Sequence, residues 1–284
     1  MNVIIGIVLV LGCVAGGFVL SHGHLAALWQ PYELLVIGGA AFGAFVIANP
    51  GKLIKTVVKN LPCLFKGSPY TKAYYLDALA LIYDLLTKAR KEGMMSLEAD
   101  VEDPEKSGIF GKYPKVLHNH HAVEFLTDYL RLMVGGSIKN AFELENLMDV
   151  ELDTHHEEAH QPSAALTRIA DGLPGFGIVA AVLGIVITMG ALGGPPEEIG
   201  HHVAAALVGT FLGILLAYGF VGPMSTLLEH CMRDESQFFK VLKTVLLASQ
   251  QGYSPQIAVE FGRKAIFSSE RPSFRELEEH VKRK

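Results

Sequence analysis

Long apolar stretches separated by polar, helix-periodic segments set the pattern of this chain. No Lys, Arg, Asp or Glu occurs from Met1 to Tyr32, from Leu34 to Gly51, from Gly172 to Pro196 or from Ile199 to Leu228. A helix crossing bilayer hydrocarbon needs about 20 mostly apolar residues. Each stretch reaches or nearly reaches that length, which predicts four spanning helices. Buried helices of a large soluble core are the competing reading, but those usually keep a charged face. Span one is expected over residues 2–19 and span two over 34–48. Trp29 and Tyr32 fall in the link between them, where amphipathic rings favour the headgroup level. Gly12 and Gly16, and again Gly39 and Gly43, stand four apart, a spacing that lets helix backbones approach closely.

Beyond Asn49-Pro50-Gly51 the pattern turns amphipathic. Lys52, Lys55 and Lys59 recur at helical spacing as a basic face suited to anionic headgroups. Leu76, Leu79, Ala80, Tyr83 and Leu86 recur at three and four, which predicts a helix over 71–92. Glu92-Gly93 ends it, and a short helix should begin near Ser96. Residues 116–134 and 140–160 read as two further helices, the second acidic and broken by Pro162. Residues 233–251 read as a helix, Gly252-Tyr253-Ser254-Pro255 as a turn, and Ser273 with Glu276 as a capping box opening a last helix. No strand pattern of useful length and no internal repeat occurs. The expected fold is an all-α membrane protein. Spans 1 and 2 occupy 1–50, a large helical cytoplasmic loop 51–171, spans 3 and 4 172–228, and a helical cytoplasmic tail 229–284.

Composition agrees, with 50% hydrophobic and 19% charged residues. All 24 Lys and Arg lie between Lys52 and Arg168 or between Arg233 and Lys284. None lies in the links at 21–33 and 193–202, so the positive-inside rule places both basic blocks and both termini in the cytoplasm. The first apolar run lacks a basic leader and a small-residue cleavage site, so it is read as a retained span. Cys13, Cys63 and Cys231 are isolated in sequence, and a reducing cytoplasm would keep the last two as thiols.

Candidate chemistry is sparse. His118, His120 and His121 form one group and His155, His156 and His160 another, with His156 and His160 at a spacing that can hold zinc. Neither group brings an evident third ligand, and a solvated polar face is the plainer account, so no metal is expected. No HExxH, phosphate-binding loop, nucleophile elbow or dinucleotide fingerprint occurs, which argues against an enzyme. The spans offer few hydrogen-bonding side chains, chiefly Thr188, Thr210, Tyr218 and Ser225. A proton path needs an ionisable group at depth. None is evident here, so the chain is either no conduit or relies on a partner's carboxylate. Pro174 at the start of span three suits a first helical turn, whereas Pro223 falls in a helix interior and invites a kink. Arg90 and Glu98 flank the break at Gly93 and, as bare charges, would be solvated surface.

The runs LPGFGIVAAVLGI (173–185), VGTFLGILLAYGFVGP (208–223) and AVEFGRKAIFSSERPSFRELEEHV (258–281) closely resemble the MotA family of flagellar stator proteins. So do YTKAYYLDALALIYDLL (70–86), GMMSLEADVEDP (93–104) and the glycine-rich opening segment, so the resemblance covers nearly the whole chain. It implies a torque-generating proton-channel subunit in the bacterial inner membrane, forming a ring of five copies around a MotB dimer. MotB would supply the ion-binding Asp and the peptidoglycan anchor, and the rotor protein FliG would receive the torque. By the same resemblance Arg90, Glu98 and Glu151 face the rotor, Pro174 and Pro223 couple protonation to motion, and Thr210 faces the partner's Asp. Sodium-driven relatives carry a Thr in span three where this chain has Ala181. One oxygen fewer favours a proton over a sodium ion. An ExbB- or TolQ-like energiser of outer-membrane processes is the alternative. No cofactor and no nucleic acid are implied.

Overall fold

In the computed structural model, which describes residues 2–138, 140–190 and 192–283, the apolar stretches all become helix. Four helices among the described residues are long and apolar enough to cross a membrane: Val3–Leu20, Leu25–Ala48, Ala141–Gly190 and Pro196–Gln250. No strand occurs among the described residues.

The chain gathers into two compact units, each assembled from two separate stretches: 1–67 with 159–232, and 68–158 with 233–284. The membrane unit begins with α1 (Asn2–Leu20), a 3₁₀ turn at Leu25–Leu28, α2 (Pro31–Ala48) and α3 (Gly51–Lys66). Trp29 and Tyr32 stand exposed where the first hairpin turns. Helix α3 is the amphipathic basic helix expected from its lysines. It buries Val57 and Leu64 and leaves Lys52, Lys55 and Lys66 outside.

The polar unit holds α4 (Lys72–Glu92), the short α5 (Glu98–Glu102) and α6 (Pro114–Leu117), and α7 (His120–Val134). Asn119 interrupts the helix expected across 116–134, because its side-chain oxygen accepts from the Ala122 amide and restarts the chain as α7. The unit is completed by residues 141–158 of α8 (Ala141–Gly190), residues 233–250 of α10 (Gly222–Gln250), α11 (Pro255–Ala265) and α12 (Phe274–Arg283). Its core is conventional: Leu79, Leu81, Ile82, Leu85, Phe110, Leu126 and Phe238 are fully buried. Tyr70, Tyr74 and Tyr75 surround Phe238 with ring centroids 5.0–5.8 Å away.

The tail locks onto α4. Glu270 accepts from the Lys72 amide at 2.9 Å, capping α4, and Glu276 pairs with the Lys72 ammonium at 2.6 Å. The capping box forms as the sequence implies: Glu276 accepts from the Ser273 amide and donates its own amide to Ser273 Oγ. Gly262 of α11 permits this packing. A Cβ there would lie 2.3 Å from Val245 Cγ2 and 2.9 Å from Leu79 Cδ2.

Two expectations fail in α8, which runs unbroken through Pro162 and Pro174. Pro162 does not end the acidic helix, and Pro174 lies in a helix interior instead of a first turn. Buried Pro162 is followed by hydroxyls that bond back to the helix: Ser163 Oγ to the His160 carbonyl at 2.9 Å and Thr167 Oγ1 to the Ser163 carbonyl at 3.1 Å. Tertiary packing and such local bonds outweigh the single backbone bond a proline removes.

Candidate functional site: a glycine-packed crossing in the membrane unit

Among the described glycines of the membrane unit, those where a Cβ would crowd another helix most lie between α8 and α9 (Pro196–Ile214). A Cβ on Gly213 would lie 2.8 Å from both the Gly177 Cα and the Leu173 carbonyl oxygen. One on Gly177 would lie 3.0 Å from the Gly209 carbonyl oxygen and 3.4 Å from the Thr210 Cα. About two turns along, a Cβ on Gly184 would lie 2.8 Å from the Ala206 Cβ. Backbone meets backbone, the mode by which helices associate where no hydrophobic driving force separates protein from lipid. The glycines spaced four apart in α1 and α2 behave differently: among the described residues, a Cβ on Gly12, Gly16, Gly39 or Gly43 would meet nothing within 4 Å.

The crossing brings together the two residues singled out for the ion path. A Cβ on Gly209 would lie 3.4 Å from the Ala181 amide nitrogen and 3.3 Å from the Ala180 Cβ, so Ala181 stands beside Gly209–Thr210. Thr210 is half-buried, and among the described residues its hydroxyl makes no hydrogen bond. Neither 172–190 of α8 nor 203–228 contains Asp, Glu, Lys, Arg or His. The acid-free description does not extend to α2. Glu33, in the first turn of α2, places Oε2 3.1 Å from the position of a Gly209 Cβ. Sequence reading missed this acid because two charge-free runs flank it. A single charge between apolar runs was the available signal.

Pro223 sits just past a change in helix type. Between α9 and α10 the chain winds as a π-helix over Leu215–Val221, and the Gly222 amide bonds back five residues to the Ala217 carbonyl. Proline lacks the donor that would continue an α ladder, and the wider turn absorbs the mismatch. Val10 of α1 packs against this segment, its Cγ1 3.2 Å from where a Gly219 Cβ would be. An apolar groove of about 300 Å³ borders Pro223, lined by Val3, Ile7, Val10, Phe220 and Met224. Near Pro223 a hydroxyl tie connects α10 to α8: Ser225 Oγ donates to the Ser163 carbonyl at 2.7 Å and lies 2.7 Å from Thr167 Oγ1. Ser163 and Thr167 were not distinguished in the sequence, since bare hydroxyls on a helix carry no signal.

The rotor-facing candidates lie in the polar unit. Arg90 and Glu98 are exposed, and among the described residues neither makes an ion pair. A buried polar core stands behind them. Asp100 accepts from Lys88 at 2.7 Å and from the Ser107 hydroxyl, whose oxygen also receives the Ile109 and Phe110 amides. This links α5, which begins at Glu98, to α4, which carries Arg90 in its last turn. Glu151 is exposed yet not idle, accepting from the Tyr129 hydroxyl. Burial, reinforced by the neighbouring Glu151 carboxylate, pushes the Tyr129 phenol up and keeps it a donor.

The histidine groups form no ligand set. Among the described residues no three His, Cys, Asp or Glu side chains are placed to hold a metal ion. His155, expected on a solvated face, packs its ring 4.9 Å from that of Phe239 and faces Glu235 at 3.8 Å. Cys63 and Cys231, isolated in sequence, bring their sulfur atoms against one another. They lie 168 residues apart, and packing of α3 against α10 around Leu64 and Leu228 brings them together, which no local spacing could announce.

Comparison with known proteins follows the same lines. Residues 4–93 match the model of the motility protein A N-terminal domain, and residues 118–240 that of the MotA/TolQ/ExbB proton channel family. Motility protein A of Salmonella typhimurium is 50% identical over 99% of this chain and 95% of its own length, and so is that of Escherichia coli. The chemotaxis protein LafT of Vibrio parahaemolyticus is 40% identical over 98% of this chain and 97% of its own. The flagellar MotAB stator complex of Bacillus subtilis superposes with a TM-score of 0.71 at 26% identity, covering 90% of this chain and 92% of that one. The C. jejuni MotAB structure shares the fold, with a TM-score of 0.78 over 96% of this chain and 98% of that one at 20% identity. The chain therefore belongs to the motility protein A family of flagellar stator proton-channel subunits.

Proposed function

We propose that this chain surrounds a MotB dimer as a ring of five copies in the bacterial inner membrane and turns proton flow into torque on the rotor protein FliG. One observation carries the reading. The glycine-packed α8–α9 crossing sets Gly209, next to Thr210, against the Ala181 amide, and the apolar stretches 172–190 and 203–228 that form it bring no Asp, Glu, Lys, Arg or His. Those two stretches can guide a proton but cannot hold one, and Glu33 reaches them only from the first turn of α2, so the carboxylate deep in the membrane is the partner's. MotB fills that place, and the relatives solved as MotAB complexes support it.

Each proton moving down the membrane potential releases about 2.3 kcal/mol per 100 mV. Protonating the partner's carboxylate beside Thr210 removes a charge from the interface, and the ring steps to its next arrangement. Pro223, at the end of the π-helix, and Pro174, inside α8, are the points where the helices repack. Arg90 and Glu98, together with Glu151, push the rotor through exposed charge pairs worth roughly 0.2–1 kcal/mol each, weak enough to form and break at every step. Ala181 in place of a hydroxyl residue favours the proton. The basic blocks lie on the cytoplasmic side, with both termini. The ExbB/TolQ alternative shares the family model over 118–240, but the match over 4–93 to a motility protein A domain favours the stator.

The test is swimming of a stator-deleted cell that carries this chain with its own MotB. Motility in sodium-free medium that collapses on adding a protonophore is the expected result. Motility that requires sodium would overturn the ion assignment, and none under either ion would overturn the stator reading.

A further inference from the structure

The ion path described above has no carboxylate on α8 or α9, yet one reaches it from α2. Glu33 follows Pro31 in the first turn of that helix, where an acid usually complements the positive end of the helix dipole. A carboxylate serving only that purpose would turn back to its own free amides. Glu33 instead extends across to α9 and lies against Gly209, whose missing side chain leaves the space it occupies. A Cβ at 209 would stand 3.1 Å from Glu33 Oε2 and 3.4 Å from the Ala181 amide nitrogen, so the carboxylate, Ala181 and the start of Thr210 share one spot. Among the described residues no side chain donates a hydrogen bond or ion pair to Glu33. An acid half-buried between apolar helices without a donor is expensive to keep unless it is used.

The surroundings suit proton uptake. No Lys or Arg lies within the links that flank this end of the helices, so no fixed cation holds Glu33 as a salt bridge. The titratable groups on the elements packed around it are His22 and His24 ahead of the 3₁₀ turn, Tyr32 beside it, and Glu197, Glu198, His201 and His202 in the first turns of α9. Residues 172–190 of α8 contribute none. His201 and His202 precede Gly209 by about 10–12 Å along α9 at the helical rise, a span that water can bridge. Trp29 and Tyr32, both exposed, mark the level where the links meet the headgroups.

We propose that Glu33 is a proton-loading carboxylate at the external mouth of the ion path, this chain's own station before the partner's acid. The inference rests on the proton-channel reading above. Glu33 takes a proton from external water or a protonated histidine and becomes a neutral acid. It then gives the proton onward past Thr210 and returns to the carboxylate, so charge and protons balance with no further reactant.

The experiment compares full-length wild type, Glu33→Gln and Glu33→Asp, each with MotB in stator-deleted cells, as swimming speed against external pH in sodium-free medium. Membrane levels of the chain are matched by immunoblot. Protons are scarce at high pH, so loss of the loading group slows uptake most there. Glu33→Gln should swim about two- to fivefold slower than wild type near pH 8 and approach it near pH 6, with Glu33→Asp close to wild type throughout, as expected of a rate-limiting acid–base station. The effect should persist in a His201→Gln, His202→Gln background, which separates the carboxylate from its histidine neighbours. A Glu33→Gln profile parallel to wild type would overturn the proposal and leave the stator reading standing. Equal loss in Gln and Asp variants at every pH would overturn it in favour of packing. Failure of the wild type itself to swim on protons would remove both.

Discussion

The membrane unit and the polar unit are built from the same helical grammar and held together by opposite means. The polar unit buries Leu, Ile, Phe and Tyr side chains in one continuous core, with charged residues outside and a few pinned within, such as Asp100. Burial of this kind is worth about 1.5–3 kcal/mol per large side chain in water. The membrane unit buries only small clusters such as Ile37 with Leu173, leaves Ile4, Leu9, Leu35, Ile47 and Val186 exposed, and packs tightly where side chains are absent, at Gly177, Gly184, Gly209 and Gly213. In lipid an exposed Ile costs nothing, so cohesion comes from close backbone approach and from a few hydroxyl bonds. Two units held differently should fail differently.

The largest effect expected is at Gly213. The methyl of Gly213→Ala would meet the Gly177 Cα and the Leu173 carbonyl, backbone atoms that cannot rotate away. Overpacking costs about 1–3 kcal/mol, and this site belongs at the top of that range. Loss of assembly with MotB, read by co-purification, is the expected outcome. Gly262→Ala in the polar unit meets Val245 Cγ2 and Leu79 Cδ2, side-chain atoms that can shift, so it should cost less although its nearest contact is shorter. If Gly262→Ala proved the more damaging in thermal unfolding of the purified complex, the contrast between backbone and side-chain packing would be wrong.

Pro223→Ala sharpens the comparison in another way. It returns a backbone donor to a helix interior, where proline is about 3 kcal/mol less favourable than alanine. The π turn over Leu215–Val221 should relax toward α-helix, and the complex should be as heat-stable as wild type while swimming fails. A variant that swims normally would show that the π segment has no part in coupling.

The polar unit has its own lever. Asp100→Asn weakens the bond from Lys88 and leaves a buried donor facing Ser107, at a cost of about 1–3 kcal/mol. Torque should fall with Arg90 and Glu98 untouched, because α4 and α5 lose their shared anchor. Normal swimming in Asp100→Asn would mean that this anchor does not position the charged face. The smallest effect is electrostatic. The Lys72 ammonium and the Ser273 amide hold the exposed Glu276 carboxyl down at about 2. A depressed carboxylate contributes above its unfolded value and is lost as pH falls toward its folded one. Glu276→Gln should therefore lower the melting temperature slightly at neutral pH and not at all near pH 2. An equal effect at both would point to packing instead of charge.

How much of this was legible in the sequence depends on which unit is considered. The apolar runs and the stripe of Leu76, Leu79, Tyr83 and Leu86 announce helices because burial in lipid and burial in a core both impose a length or a period. The capping box at Ser273 was legible because both partners lie within one turn. Continuity of α8 through Pro162 was not, since tertiary packing overrides a local breaker. Gly213 could not be told from Gly12, because spacing shows a smooth face but not what lies opposite. Glu33, Asp100 and the Ser163–Ser225 tie depend on contacts between distant segments, as does the approach of Cys63 to Cys231. The resemblance supplied roles for Arg90, Thr210 and Pro223 that no pattern of charge or polarity could give.

The most direct test of the account is Thr210→Val, which keeps the shape of the residue beside Gly209 and removes only its hydroxyl. Proton flow is read as acidification of energised cells expressing the chain with MotB, alongside swimming. If Thr210 lines the ion path, flow and swimming should fall together by about tenfold, the equivalent of 1.4 kcal/mol on the barrier, with the chain still assembled in the membrane. Unchanged flow and swimming in Thr210→Val would contradict the claim that the α8–α9 crossing forms the wall of the channel.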